Sequence, residues 1–256
     1  AAIKFRSSQL QADRSLYVVD ARQSLHFQQV FAVARTAGLA SEQLSLEHIA
    51  YGTMMGKDGR PFKTRSGDAA KLVELLDESV RRAFVLVSEK NPGLDETLRQ
   101  EIAEKVGIAA VKYADLSKNR TSDYVFDWSS MLSFEGNTAP YLMYAYARIK
   151  SILKKQLGAT ANPHIACTTE AEERELLLKI LQLPEIVNAV AKDCYPNQLC
   201  NYLYELAGSF MRFYEACPIL KSEPQLKTSR LALSQLTAEA LQQGLDLLGI
   251  DTLEQM

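Results

Sequence analysis

The sequence has none of the patterns that announce a metal centre, a disulfide framework or a membrane protein. Its four cysteines, Cys167, Cys194, Cys200 and Cys217, include no Cys-x-x-Cys pair, and His26, His48 and His164 are scattered. Metal-ligand spacing is therefore missing and no structural metal is expected; buried free thiols in a reducing compartment are the plain reading. Neither a Walker A nor a GxGxxG pattern occurs, so the common phosphate-cradling loops are excluded as a starting point. Charged residues interrupt every apolar stretch well short of a membrane span, and the N-terminus lacks the basic-then-apolar order of a secretory signal, so a cytoplasmic protein without a membrane partner is expected. An excess of charge of one sign is also lacking: 29 Lys and Arg face 31 Asp and Glu, a net charge of −2. Any surface for a polyanion must be local. Internal repeats and low-complexity tracts are absent from the sequence as well.

What is present is ordinary globular material. Of 256 residues, 47% are hydrophobic and 23% charged, enough for a sizeable core and for two domains. The chain starts Ala-Ala-Ile-Lys-Phe-Arg, without Met, as if inside an element already running, and reads as a fragment.

Ser15 to Asp20 is a short apolar run rich in Val and Tyr, followed by a segment with apolar residues at Phe27, Val30, Phe31 and Val33. Strand then helix is the natural assignment. A second run, Leu46 to Tyr51, ends at Gly52 and leads into a polar loop from Gly56 to Gly67, giving a β-α-β order. From Lys71 the spacing of Leu72, Leu76, Val80, Phe84 and Val87 predicts a helix that stops near Asn91-Pro92-Gly93. Leu98, Ile102 and Val106 predict a second helix with Gly107 as its stop, and Ile108 to Leu116 a short third one.

A polar turn, Ser117 to Asp123, and the aromatic run Tyr124 to Trp128 then read as a joint between domains. From Thr138 onward strand signals disappear. Leu203, Leu206, Phe210, Phe213 and Cys217 alternate steps of three and four, and Leu241, Leu245 and Leu248 continue the pattern before Gly249. The second half is predicted to be mostly helix.

Three places carry candidate chemistry. The loop Gly56 to Gly67 holds four cations and three glycines between a strand and a helix; it can follow a phosphate as charge shifts during nucleotidyl transfer, or be a solvated surface loop, the commoner fate of such a loop. Gln23 and His26 lie just past the first strand, where open α/β sheets place ligands, or are ordinary residues of the following helix turn. Tyr141, Tyr144 and Arg148, at i, i+3 and i+7, share one helix face, while Leu142, Ala145, Ile149 and Ile152 form the neighbouring apolar stripe. That separation suits stacking of unpaired bases with phosphate contact; simple packing of tyrosines at a helix edge gives the same pattern. Lys150, Lys154 and Lys155 add positive charge nearby, as a solvated helix end also would.

These features occur in an order that resembles bacterial arginyl-tRNA synthetases along essentially the whole chain. The resemblance rests on VVDARQSLHFQQVF at Val18 to Phe31, DGRPFKTRSG at Asp58 to Gly67, VKYADLSKNRTSDYVFDW at Val111 to Trp128, MLSFEGNTAPYLMYAYAR at Met131 to Arg148, and the closing LTAEALQQGLDLLGIDTLEQM. It implies the second part of a Rossmann-like class I catalytic domain, residues 1–135, followed by an all-helical anticodon-binding bundle, residues 136–256. The implied activity is ATP-dependent attachment of arginine to its tRNA, with L-arginine, ATP and arginine tRNA as partners, magnesium arriving with ATP, no permanent cofactor, and a monomeric protein. Alternatives from other quarters are a non-catalytic tRNA-binding module and a related class I synthetase such as the cysteine enzyme, which the arginine-type motifs disfavour.

The resemblance assigns roles residue by residue. Lys63 and Arg65 look like the counterpart of the Lys-Met-Ser-Lys signature and would steady the ATP phosphates. Gln23, with His26 beside it, matches the arginine-contacting position, and Tyr51, Gly52 and Met54 resemble the strand end that lines the adenine pocket. Tyr141, Tyr144, Arg148, Tyr214 and Met256 match positions facing the anticodon loop, and Lys118 and Arg120 lie in the turn where the family touches the inside of the tRNA. Two departures stand out. The His-Ile-Gly-His signature has no counterpart, so the chain by itself is expected to give no arginine-dependent pyrophosphate exchange. After the basic loop comes Gly67-Asp68-Ala69-Ala70 in place of the family's Gly-Gly-Thr-Val, which puts the negative charge of Asp68 near the implied phosphate path.

Overall fold

A computed structural model describes residues 1–61, 72–155, 165 and 168–255. The described chain runs α1 (Ala2–Ser8), β1 (Arg14–Asp20), α2 (Ser24–Thr36), β2 (Ser45–Tyr51), β3 (Met54–Met55), α3 (Leu72–Lys90), α4 (Glu96–Leu116), β4 (Tyr124–Val125), α5 (Trp128–Met131), α6 (Ala139–Lys154), α7 (Ala171–Leu181), α8 (Leu183–Asp193), α9 (Pro196–Ala216) and α10 (Pro224–Leu247). It forms two compact units: Ala1–Pro61 with Asn119–Phe126, and Phe62–Lys118 with Asp127–Met256.

In the smaller unit the expected β-α-β order is found. The strands β1 and β2 pair in parallel, from Arg14 beside Ser45 to Asp20 beside Tyr51. A parallel pair needs a crossover, and α2 supplies it. One sheet face is closed by a small core of Ile3, Ala34, Ala40 and Leu44, with Tyr17, Val30 and Phe31 packed against it. Side chains alternate along a strand, so Leu16 and Val18 fall on the other face and stay exposed. Arg14 fixes the start of the register by a bidentate pair with Glu47, its Nε and Nη2 donating at 2.6 and 2.7 Å. The short strands β3 and β4 also pair in parallel and carry residues 119–126 back onto the end of β2.

The larger unit is all helix among its described residues. Here α4 packs against α3, α6 and α9, while α9 also meets α7, α8 and α10. The stripes expected from spacing are the core: Leu203, Leu206, Phe210, Phe213 and Cys217 on α9 and its C-cap are fully buried, as are Leu142, Ala145 and Ile149 on α6.

Two expectations for the α3–α4 hairpin need correction. Gly107 is not a stop; α4 continues through it to Leu116, and the separate third helix does not exist. The glycine is there for close approach. A Cβ on Gly107 would sit 2.7 Å from the Cα and N of Val80, and the Ser79 hydroxyl donates to the Gly107 carbonyl at 2.8 Å. For the same reason the buried stripe of α3 is Leu75, Ser79, Ala83 and Val87; of the expected face Val87 belongs to it, Leu76, Val80 and Phe84 are half-buried, and Leu72 is exposed. Small residues let two backbones touch, and the bulky ones flank the seam.

The substitution Gly107→Ala tests this directly. Alanine's helix preference favours it by about 1 kcal/mol, while forcing a methyl against a neighbouring backbone costs about 1–3 kcal/mol, so a net loss of up to about 2 kcal/mol is expected in urea unfolding. A gain in stability would show that α3 is free to move aside.

Candidate functional site

The first site lies where β1 and β2 end side by side at Asp20 and Tyr51, the carboxyl edge at which open α/β sheets bind ligands. Asp20 caps a single 3-10 turn, Ala21–Gln23, accepting from the Arg22 amide at 2.8 Å and from its guanidinium at 2.9 and 2.7 Å. Those hydrogen bonds hold the Asp20 carboxyl down at about 2, with Arg22 also within electrostatic reach of Asp123 and Tyr51. Gln23 and His26 are both exposed, the Gln23 side chain unused as a cap for α2 and the His26 ring meeting Phe27 edge-on at 5.5 Å. Tyr51 is exposed, and Gly52 and Met54 are half-buried.

The turn after α4 closes this edge. Gly52 donates its amide to the Arg120 carbonyl at 2.7 Å, and the Arg120 guanidinium donates to the Ala50 carbonyl at 2.7 Å. The Thr53 amide donates to Asp123 Oδ1 at 2.6 Å, and the Phe126 amide to the Met55 carbonyl at 2.8 Å. Arg120 thus has a backbone partner inside its own unit, whereas Lys118 is exposed. The basic-loop residues Lys63 and Arg65, together with Asp68, lie outside the described residues.

The second site is on α6. Thr138 accepts from the Tyr141 amide at 3.3 Å and starts the helix, and Pro140 occupies its first turn. The 3.6-residue period then aims Tyr141, Tyr144 and Arg148 away from the buried stripe. Tyr144 is 40% exposed. Tyr141 meets Tyr204 of α9 edge-on at 5.5 Å, and burial followed by the nearness of Tyr204 pushes its hydroxyl up. The Arg148 guanidinium lies over the Tyr214 ring at 4.6 Å, and Tyr214 stacks on Phe210 at 6.2 Å. Tyr144, Arg148, Lys150, Ser151, Lys154 and Glu254 line a groove of about 790 Å³. Met256 lies outside the described residues.

Of the residues expected at this face, the structure therefore joins Arg148 to Tyr214 across two helices and leaves Tyr144 open beside them. Tyr204 and Glu254 went unread in the sequence, because each reaches the face from a distant element and no local spacing marks it. Aromatic rings with cations between them can hold unpaired bases by stacking and their phosphates by charge. Burial pushes the Cys200 thiol up to about 12, and among the described residues no group of three or more His, Cys, Asp or Glu could hold a metal ion. No described helix is long and apolar enough to cross a membrane.

Comparison with known proteins places the two parts of the chain in known families. The model of the family described as tRNA synthetases class I (R), catalytic domain, matches residues 1–128, and that of the DALR anticodon binding domain matches residues 142–256. The chain belongs to the arginyl-tRNA synthetase family. It is 57% identical over 255 residues to the arginine–tRNA ligase of Laribacter hongkongensis and 58% identical over 264 residues to that of Saccharophagus degradans, in each case along all of this chain. It spans 44% and 45% of those relatives. The solved arginyl-tRNA synthetase of Thermus thermophilus superposes with a TM-score of 0.84 at 34% identity, over 96% of this chain and 42% of that one. The Plasmodium falciparum enzyme gives 0.82 at 28% identity over 100% of this chain and 43% of its own. The fold is that of part of a class I synthetase catalytic domain followed by a helical anticodon-binding domain, as the motifs implied.

Proposed function

We propose that this chain is the tRNA-gripping and basic-loop part of an arginine–tRNA ligase, which activates L-arginine with ATP and transfers it to the terminal ribose of arginine tRNA. The observation that carries the reading is the aromatic and cationic groove on α6, with Arg148 over Tyr214 and Tyr144 open beside it, inside the stretch matched by an anticodon-binding family. A tRNA-binding module without catalysis is not favoured, because the catalytic family matches residues 1–128 as well.

On this reading the functional division falls at residues 1–135, catalytic, and 136–256, anticodon-binding, a division supported by the two matched ranges. Tyr141, Tyr144, Arg148, Tyr214 and Met256 hold the anticodon loop, while Lys118 and Arg120 approach the inside of the tRNA. Gln23 and His26 serve the arginine, Tyr51, Gly52 and Met54 the adenine, and Lys63 and Arg65 the phosphates of ATP, whose magnesium comes with it as substrate. Carboxylate attack on the α-phosphate and subsequent acyl transfer need no covalent enzyme intermediate, so the protein's contribution is positioning and charge stabilisation.

The test is the affinity for an arginine-accepting tRNA transcript. Tyr144→Ala is expected to raise the Kd about tenfold through loss of base stacking. Arg148→Ala is expected to weaken binding and to lower the salt dependence by about one counterion. A transcript with a foreign anticodon loop should bind the unsubstituted protein no better than these variants bind the correct one. Equal affinity across all four measurements would sink the assignment.

A further inference from the structure

The end of the chain is strapped down in a manner that the core does not require. After α10 the chain turns at Gly249, in the left-handed region with φ 68°, with the Gly249 amide donating to the Asp246 carbonyl at 2.8 Å and the Ile250 amide to the Leu245 carbonyl at 2.9 Å. Ile250 is buried and anchors the turn. On either side of it, lysines from two helices grip the chain: Lys112 of α4 donates to the Gly249 carbonyl, Lys105 of α4 lies 4.0 Å from Asp251, and Lys150 of α6 lies 3.1 Å from Glu254. The Lys150 ammonium also sits 6.0 Å from the Tyr146 ring, and its hydrogen bond to Glu254 raises its pKa.

The last of these pairs is exposed, its Glu254 side chain 73% open to solvent, and so adds little to stability. Its position says more. Lys150 belongs to the same groove as Tyr144, Arg148 and Lys154, and Glu254 and Gln255 are the groove's contribution from the tail. A cation that would otherwise be free for a phosphate is instead spent on a carboxylate of the chain itself. That arrangement makes sense where the tail must already be in place when the ligand arrives, since a segment ordered only on binding subtracts its ordering entropy from the affinity.

We infer that Lys150 and Glu254 form a positioning clasp that holds the C-terminal tail as one wall of the anticodon-loop groove. The inference rests on the anticodon reading given above. Neither residue is a phosphate ligand; both act through the tail's backbone and the preformed shape of the groove.

The experiment compares Lys150→Gln, Glu254→Gln and the charge exchange Lys150→Glu with Glu254→Lys, alongside Tyr144→Ala, by Kd for the same tRNA transcript and by thermal unfolding. Each single clasp variant is expected to weaken binding about threefold to fivefold with Tm within about 2 °C of the parent, and the exchange to recover binding to within about 1.5-fold. If Glu254→Gln tightens binding while Lys150→Gln lowers the salt dependence by about one counterion, Lys150 is a phosphate ligand that Glu254 competes for, and the clasp is overturned. Unchanged affinity in both single variants, or an exchange that fails to recover, overturns it as well. Tyr144→Ala separates the two levels: if it weakens binding and the clasp variants do not, only the clasp fails, whereas if it too has no effect the anticodon reading fails with it.

Discussion

Replacing Arg230 with alanine is expected to destabilise the helical unit by about 3–5 kcal/mol, because it leaves a buried carboxylate without its counter-charge. Arg230 on α10 and Glu173 in the first turn of α7 are 6% and 1% exposed, and the guanidinium Nε donates to Glu173 Oε1 at 2.6 Å. Both groups make further hydrogen bonds. Arg230 Nη1 donates to the Pro218 carbonyl at 2.9 Å and to the Ser222 hydroxyl at 2.7 Å, while Glu173 Oε2 accepts the Thr169 and Glu170 amides at 2.6 and 3.1 Å. One pair thus ties α10, the 218–222 turn and the start of α7 together. For a unit of this size each kcal/mol moves the midpoint by about 2–4 °C, so a Tm lower by about 6–20 °C is expected in a thermal scan. A fall of less than about 2 °C would mean that water reaches Glu173 and the pair is not buried in solution.

The same pair makes a statement about pH. Burial raises the Glu173 pKa, but the hydrogen bonds from Arg230 and from the two amides outweigh it, and the net shift is downward. A carboxyl with a folded pKa below its unfolded value, about 4.3, stabilises the fold above that pH and loses the contribution as pH falls through the folded value. Acid should therefore erode the stability of the parent below about pH 4.5 more steeply than that of a Glu173→Leu, Arg230→Met variant. That double variant is expected to recover most of the loss, since apolar groups fill a former ion-pair site without a stranded charge, yet to stay about 1 kcal/mol short because the cap of α7 is gone.

Nothing in the local sequence announces this pair. Residues 173 and 230 come from helices that meet only in the folded core, and each alone reads as a charge on an amphipathic surface. What local spacing could show is the side of a helix that carries large apolar residues, and where such residues make the seam, as on α9, the reading and the structure agree. On α3 they part company because the seam is built of Ser79 and Ala83, which leave no hydrophobic signal. Gly107 misled for a related reason. Glycine marks both helix ends and close backbone approaches, and only the neighbouring helix distinguishes the two. The candidate sites divide in the same way: the face carrying Tyr141, Tyr144 and Arg148 follows from the helical period, whereas Tyr204, Tyr214 and Glu254 join it through tertiary packing.

Gly52→Ala is the sharpest test of the strand-end site, and it is expected to open that site rather than merely to crowd it. A Cβ at position 52 would lie 2.6 Å from the Ser122 carbonyl oxygen, 2.7 Å from its carbon and 2.9 Å from the Asp123 nitrogen. These are backbone atoms, so no side chain can rotate out of the way, and residues 119–126 must move. That movement pulls on the Gly52 to Arg120, Thr53 to Asp123 and Arg120 to Ala50 hydrogen bonds together. Crowding costs about 1–3 kcal/mol and each hydrogen bond about 1 kcal/mol, so the opening free energy of this segment should fall by about 3 kcal/mol or more. Amide exchange at Gly52, Thr53 and Phe126 would then accelerate about a hundredfold or more, whereas Gly93→Ala, where an added methyl meets nothing within 4 Å, should leave these amides unchanged. Protection equal to that of the parent would show that the turn is not seated on Gly52. The position expected to line the adenine pocket would then be held open by something other than this turn, because the glycine's place at the site rests on the room it leaves for the backbone of Ser122 and Asp123.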